Sequence, residues 1–281
     1  MVTVGVVSPG AMGGALGRGW AEAGARVVAT LAGRSERTRS LAHGVELLPD
    51  LDAVVAAADV VVSVVPPGAA TAVARDVAAA AQRTGGTPLV ADLNAVAPAT
   101  MAAVAAALAP LDVVDGSISG GPPDTGSTRV YLSGPRAAEV VALGHPRLDV
   151  RVLGDTVGMA SAVKMSTASV YKGFAGLLVQ ALVAADVNGV RDTVLDDLAR
   201  EFPDVVREAA PWLASGASKA HRYVAEMREI AATQAAAGLP GELFEAMALV
   251  WERVAATPLG AGTPEEARAE RDVADVLRRL R

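Results

Sequence analysis

The chain has 281 residues, no cysteine, 3% aromatic residues and a formal net charge of −6. Without cysteine there is no disulfide, thiolate metal site or cysteine nucleophile, and the dispersed His43, His145 and His221 do not form a histidine-rich metal site, so no metal is expected. The acid excess carries no electrostatic footprint for nucleic acid, while 52% hydrophobic residues over the length of two ordinary domains allow a large core filled by Ala, Val and Leu.

The N-terminal MVTVGVVSPG lacks a basic region and reaches Pro9-Gly10 too early for a secretory leader. The valine run around Val60 is bounded by Asp59 and Pro66-Pro67, so no uncharged stretch reads as a membrane span. The expectation is a cytoplasmic protein with no membrane or nucleic-acid partner. In chain order the pattern predicts a strand over 2–7, a helix over 11–23, a strand over 26–31, a helix over 53–58 and a strand over 60–65. A helix over 69–83, a strand over 88–92, a helix over 98–108 and strands over 112–115, 130–133 and 150–153 follow. Continuous apolar strands separated by helices require a parallel sheet covered on both faces, an α/β doubly wound architecture.

After Asp155 the strand signal fades. One long helix is predicted from 157 to about 188, then helices over 192–202, 205–215, 218–237, 241–257 and 264–281. Two domains are therefore expected, an α/β domain over 1–155 and an all-α domain over 156–281.

The first strand runs into Ser8-Pro9-Gly10-Ala11-Met12-Gly13 and then a helix. This is the place of a dinucleotide-binding turn, where glycine admits a pyrophosphate to the backbone and the helix start offers free N–H groups. Ser8 stands where the usual motif has its first glycine, and an ordinary glycine-containing turn is the plainer alternative. The second strand leads to Arg34, Ser35 and Arg37, with no aspartate to hold a ribose hydroxyl. Guanidinium and hydroxyl donors suit a 2′-phosphate, which predicts NADP(H) in a Rossmann domain; a solvated Arg/Glu loop is the alternative. The ends of the next two strands, Val65-Pro66 and Asn94, are placed to pass along the ribose and nicotinamide.

Three segments now combine: Gly5-Val6-Val7-Ser8-Pro9-Gly10-Ala11-Met12-Gly13, Asp115-Gly116-Ser117-Ile118-Ser119-Gly120-Gly121, and Gly158 through Lys164. They are similar, in order and spacing, to the G-x-x-G-x-G-x-M-G turn, the D-A-P-V-S-G-G substrate loop and the G-x-x-x-x-x-K segment of the β-hydroxyacid dehydrogenase and 6-phosphogluconate dehydrogenase superfamily. The stretch Ser218-Lys219-Ala220-His221-Arg222-Tyr223-Val224-Ala225-Glu226-Met227 resembles a branch whose C-terminal domain has no defined function, with imine reductases nearby. The resemblance implies an NAD(P)-dependent oxidoreductase, a Rossmann domain followed by a helical domain, a small-molecule substrate and a homodimer with interlocked helical domains. The chain departs from the pattern at Ala168, where the family has Asn, at Gly116-Ser117, where Ala-Pro is usual, and at Ser8. These changes set a standard 3-hydroxyacid substrate in question.

Only three of 25 basic residues are lysines, namely Lys164, Lys172 and Lys219. Lys164 lies in the apolar context Ala162-Val163-Lys164-Met165, and a desolvated lysine can give or take the proton of a carbonyl–hydroxyl couple. A snorkelling or ion-paired lysine is the alternative. Tyr171, seven residues on, shares its helical face as a possible relay or a packing residue. Ser119, with Ser117, Gly120 and Gly121, offers hydroxyls and N–H groups to a substrate carboxylate, unless the segment is only a glycine turn. Lys172, Asn188, His221 and Tyr223 are further pocket candidates. The leading function is NADPH-linked reduction of a small carbonyl acid or the reverse; the alternatives are imine reduction, in which this fold commonly carries another residue at the lysine, and a silent NADP-binding sensor.

Overall fold

The valine runs of the first half become one eight-stranded sheet in the computed structural model, which describes residues 1–281. Its strands are β1 (Thr3–Val6), β2 (Arg26–Thr30), β3 (Glu46–Leu48), β4 (Val60–Ser63), β5 (Leu89–Asp92), β6 (Val113–Gly120), β7 (Thr128–Ser133) and β8 (Leu148–Val152). They lie in the order β3-β2-β1-β4-β5-β6-β7-β8. The first six are parallel; β7 runs antiparallel to β6, and β8 parallel to β7. The reversal of strand order between β1 and β4 is the switch point at which an open α/β sheet leaves a crevice at its carboxyl edge.

Alternate side chains of each strand feed opposite faces. Val4, Val6, Val60, Val62, Leu89 and Ala91 join one apolar cluster, together with Leu16 and Trp20 of α1 (Ala11–Glu22). Val7, Val61 and Val90 join the other, beneath α3 (Leu51–Ala57), α4 (Ala70–Thr84) and α5 (Pro98–Leu108). Short α2 (Glu36–Leu41) and α6 (Ala137–Val141) complete this part, and neither they nor β3 are foreseen from the sequence. Strand β6 also runs five residues beyond the predicted end at Asp115.

The chain divides into two compact units, Met1–Met165 and Ser166–Arg281. The division falls within α7 (Met159–Val187), which is followed by α8 (Arg191–Glu201), α9 (Pro203–Arg207), α10 (Ala209–Ala217), α11 (Ala220–Ala236), α12 (Glu242–Ala255), α13 (Pro264–Ala267) and α14 (Val273–Arg279). The second unit is all helical. Its buried residues include Met227 and Ile230 of α11 and Met247, Ala248 and Trp251 of α12. The predicted helix over 264–281 is two helices, because Asp272 caps a new start by accepting from the N–H groups of Ala274 and Asp275. The predicted helix over 205–215 is likewise broken at Glu208.

Helix α7 has 29 residues and an 18-residue window of mean hydropathy 1.4, so by length and composition it could cross a bilayer. The expectation of no such stretch rested on uncharged runs, and this one contains Lys164 and Lys172.

Candidate active site at the carboxyl edge of the sheet

The turn after β1 folds as a close approach of backbone to backbone. A Cβ on Gly13 would fall on the carbonyl oxygen of Ser8, so only glycine fits there. A Cβ on Gly10 meets nothing within 4 Å, so the space over this residue is open. Gly10 is the N-cap of α1, no side chain caps that helix, and its first turn has no acidic residue. Four N–H groups at such a start lack helical partners, and the dipole is uncompensated. Ala11 is exposed, Met12 partly buried and Pro9 buried.

Arg34 reaches back from the end of β2, and its guanidinium donates to the carbonyl of Val7 at 3.0 Å. Its Nε is buried without a partner. Ser35 accepts from the N–H of Thr38 at 3.3 Å as the N-cap of α2, so part of its hydrogen-bonding capacity serves the fold. Arg37 is exposed in the first turn of the same helix. Open space at Gly10, close approach at Gly13, an uncompensated helix start and an orphaned guanidinium nitrogen together fit the anionic part of a dinucleotide.

Asn94 departs from the expected ligand contact. It is 2% exposed. Its amide donates to Asp92 at 2.8 Å and Ser63 at 3.1 Å, and its Oδ1 accepts from the N–H of Val65 at 2.6 Å. With its side chain spent in this way, Asn94 ties the ends of β4 and β5 together and sets the backbone of Val65, ahead of exposed Pro66.

Burial pushes the Asp92 carboxyl up to about 7, against the lowering effect of its bonds to Asn94 and with a smaller push from neighbouring Asp115. A carboxyl that keeps its proton longer in the fold than in the unfolded chain gives stability that is full at acid pH and lost as pH rises through about 7. At about 1.4 kcal/mol per pH unit, the loss is up to roughly 4 kcal/mol. Asp92→Asn is expected to flatten the dependence of urea-unfolding free energy between acid and pH 8; an unchanged slope would remove Asp92 as its source.

The other half of the site comes from β6 and the start of α7. Lys164 donates from Nζ to the carbonyl of Ile118 at 2.6 Å. Burial lowers its pKa, favouring the neutral amine. Ser119 and Gly120 follow Ile118. They are not the loose glycine turn the sequence allows, since they pair in register with Arg129 and Thr128 of β7. Gly120 has φ +116°, and a Cβ there would lie 2.6 Å from the Ser127 carbonyl, so the position needs glycine. Ser119 is partly buried and Gly121 exposed. Asp124, in the loop that follows, is ion-paired with Arg18 of α1 and lies 3.5 Å from Arg147.

Ser117, expected to bind substrate, is corrected: it is fully buried, and its hydroxyl donates to the Ala160 carbonyl at 2.8 Å. The side chain faces α7; Ser119, two residues on and so on the same face of β6, lies nearer the end of the strand and is more open.

In the second unit, Tyr171 is 69% exposed. Lys172, expected to bind substrate, instead forms an ion pair with Glu226, and its ammonium stands 4.5 Å from the centre of the Tyr223 ring. Glu226 was legible only as part of the quoted stretch, not as the partner of a lysine 54 residues away. His221 is largely exposed in the first turn of α11; partial desolvation and the neighbouring Arg222 lower its pKa. Asn188 donates to Ala184 at 2.8 Å at the end of its own helix. A cavity of about 720 Å³ at the opposite edge of the sheet, lined in part by Asp59, Leu89 and Arg136, contains none of the candidate residues.

Comparisons with known proteins follow the same division. Residues 3–86 match the family described as NADP oxidoreductase, coenzyme F420-dependent. Residues 185–254 match a domain of unknown function, DUF1932. No curated protein matches the chain. A conserved hypothetical protein from Sinorhizobium meliloti 1021 is 28% identical, with TM-score 0.66 over 100% of this chain and 97% of that one. The 3-hydroxyisobutyrate dehydrogenase of Mycobacterium tuberculosis shares the fold at 19% identity, with TM-score 0.69 over 100% and 99% of the two chains. The imine reductase of Streptomyces aurantiacus does so at 19% identity, with TM-score 0.56 over 94% and 98%. The chain thus combines an NADP-oxidoreductase-type N-terminal segment with that C-terminal domain, on the fold of hydroxyacid dehydrogenases and imine reductases, in line with the resemblance read from the sequence.

Proposed function

We propose that the chain is an NADP(H)-dependent oxidoreductase that interconverts a small carbonyl acid and its hydroxy acid, with Lys164 as proton donor and acceptor. The observation that carries the reading is the Lys164 amine, desolvated and held at 2.6 Å by the Ile118 carbonyl at the carboxyl edge of the sheet. The nicotinamide supplies or accepts the hydride.

What remains is the work of this chain. Gly10, Gly13 and the start of α1 receive the pyrophosphate, and Arg34 takes the 2′-phosphate with a nitrogen that has no partner within the fold. Ser119 orients the acid group of the substrate. Lys164 holds the proton at Nζ and gives it to the oxygen that becomes an alkoxide; in the reverse direction the neutral amine removes it. Burial makes that neutral amine accessible nearer to neutral pH.

The reading is tested by following NADPH oxidation against a panel of small keto acids and cyclic imines. Turnover of a keto acid is expected. Turnover of imines alone would favour imine reduction, and tight NADPH binding with no turnover would favour a sensor. Arg34→Ala is expected to weaken NADPH about 10–100-fold and NADH little, as measured by fluorescence titration. Equal weakening of both would remove the 2′-phosphate role.

A further inference from the structure

N–H groups at the start of α7 are met by side chains of the sheet. The carboxylate of Asp115, on β6, accepts from the N–H of Gly158 at 2.8 Å, the N–H of Ser161 at 3.1 Å and the Ser161 hydroxyl at 2.7 Å. A fourth donor is the hydroxyl of Ser133 on β7, at 3.0 Å, which in turn accepts from the N–H of Ala160 at 3.1 Å. Asp115 is fully buried, a costly place for a carboxylate unless such donors surround it.

Two more bonds join the same strand and helix. Ser117 donates to Ala160, and Lys164 donates to Ile118. Helix positions 160, 161 and 164 share one face at spacings of three and four. On β6 the groups involved are Asp115, Ser117 and Ile118, within four residues of strand. The carboxylate thus lies at one end of a ladder whose other end is the Lys164 amine. A plain packing contact needs neither a buried charge nor four converging donors.

We propose that Asp115 is a positioning residue for Lys164: its carboxylate fixes the register of α7 on β6, and that register sets where the amine stands. The catalytic consequence rests on the role proposed for Lys164 above; the clamp itself does not. An Asn at 115 keeps one oxygen for the three donors on Oδ2 and turns its NH₂ to the Ser161 hydroxyl, which then accepts instead of donating; the bonds to a carboxylate are lost, so the hold on the first turn of α7 weakens and the rung at Lys164 loosens.

The test uses the full-length chain and two variants, Asp115→Asn and Ser161→Ala, each probed with a brief pulse of acetic anhydride and mass spectrometry of the lysines. With only three lysines, Lys172 and Lys219 act as internal references. In Asp115→Asn, acetylation of Lys164 is expected to rise about tenfold relative to the other two, as local opening exposes it. In steady-state kinetics, kcat is expected to fall about tenfold or more with KM for NADPH within about twofold. Adding Asp115→Asn to Lys164→Ala is expected to cost little further activity, because both act through one amine. Ser161→Ala, which removes one donor and leaves the carboxylate, is expected to give the same pattern more weakly, and it carries the test if Asp115→Asn does not fold. Unchanged protection of Lys164, or equal gains at all three lysines from general loosening, would overturn the proposal. If the parent chain turns over no substrate, the reading of function fails, while the acetylation comparison still decides the clamp.

Discussion

Lys164→Ala is expected to lower turnover by about 10²–10⁴-fold while NADPH affinity stays within about twofold. The amine, held by the Ile118 carbonyl near the end of β6, is the proton donor proposed here, whereas the cofactor phosphates are assigned to the glycine turn and Arg34. In the reductive direction the protonated amine is the active form, so the rate is expected to fall as pH rises through its lowered pKa. In the oxidative direction the neutral amine is active and the limb is reversed. Mirror-image limbs in the parent chain, absent from the residual activity of Lys164→Ala, identify the group. Full turnover in the variant would exclude Lys164 from the chemistry.

The second large effect is expected at the glycine turn. Gly13→Ala places a Cβ on the Ser8 carbonyl, a backbone atom that cannot move without opening the turn. A loss of about 100-fold or more in NADPH affinity is expected, with destabilisation of about 1–3 kcal/mol from overpacking. Gly10→Ala separates the two effects, since its Cβ meets nothing within 4 Å. This variant is expected to keep its Tm within a few degrees, the small loss being that of a poorer N-cap, yet to bind NADPH poorly. Normal NADPH binding by Gly10→Ala would mean that the open space over the turn is not where the pyrophosphate sits.

What the sequence made legible follows from the range of the forces involved. Continuous valine runs such as that of β4 declare themselves because a strand buried on both faces needs no partner to be recognised. The glycine turn is legible because backbone proximity leaves its mark in the residue type at 13. β3 and α2 escape notice because they are short and carry little buried apolar surface. Gly120 and Gly121 locally favour a turn; pairing with β7 overrides that preference as far as Gly120, which serves the close approach of the strands.

The assignments that changed all depend on partners distant in the chain. Ser117 turns to a carbonyl 43 residues away, and Asn94 to a serine 31 residues away. Lys172 is neutralised by Glu226 on another helix. Composition and periodicity cannot report such pairings, because each residue alone is equally suited to a ligand. Lys164 and Arg34 stood out for a local reason: one is a rare amine in an apolar run, and the other a cation where an acid would select a different cofactor.

The central claim, that the carboxyl edge of this sheet seats a nicotinamide dinucleotide phosphate, is tested most directly by calorimetric titration of the intact chain with NADPH and NADH in parallel. Saturable NADPH binding in the micromolar range or tighter, about −8 kcal/mol, with NADH at least about tenfold weaker, is the expected result. Absence of heat with both nucleotides, or preference for NADH, would contradict it.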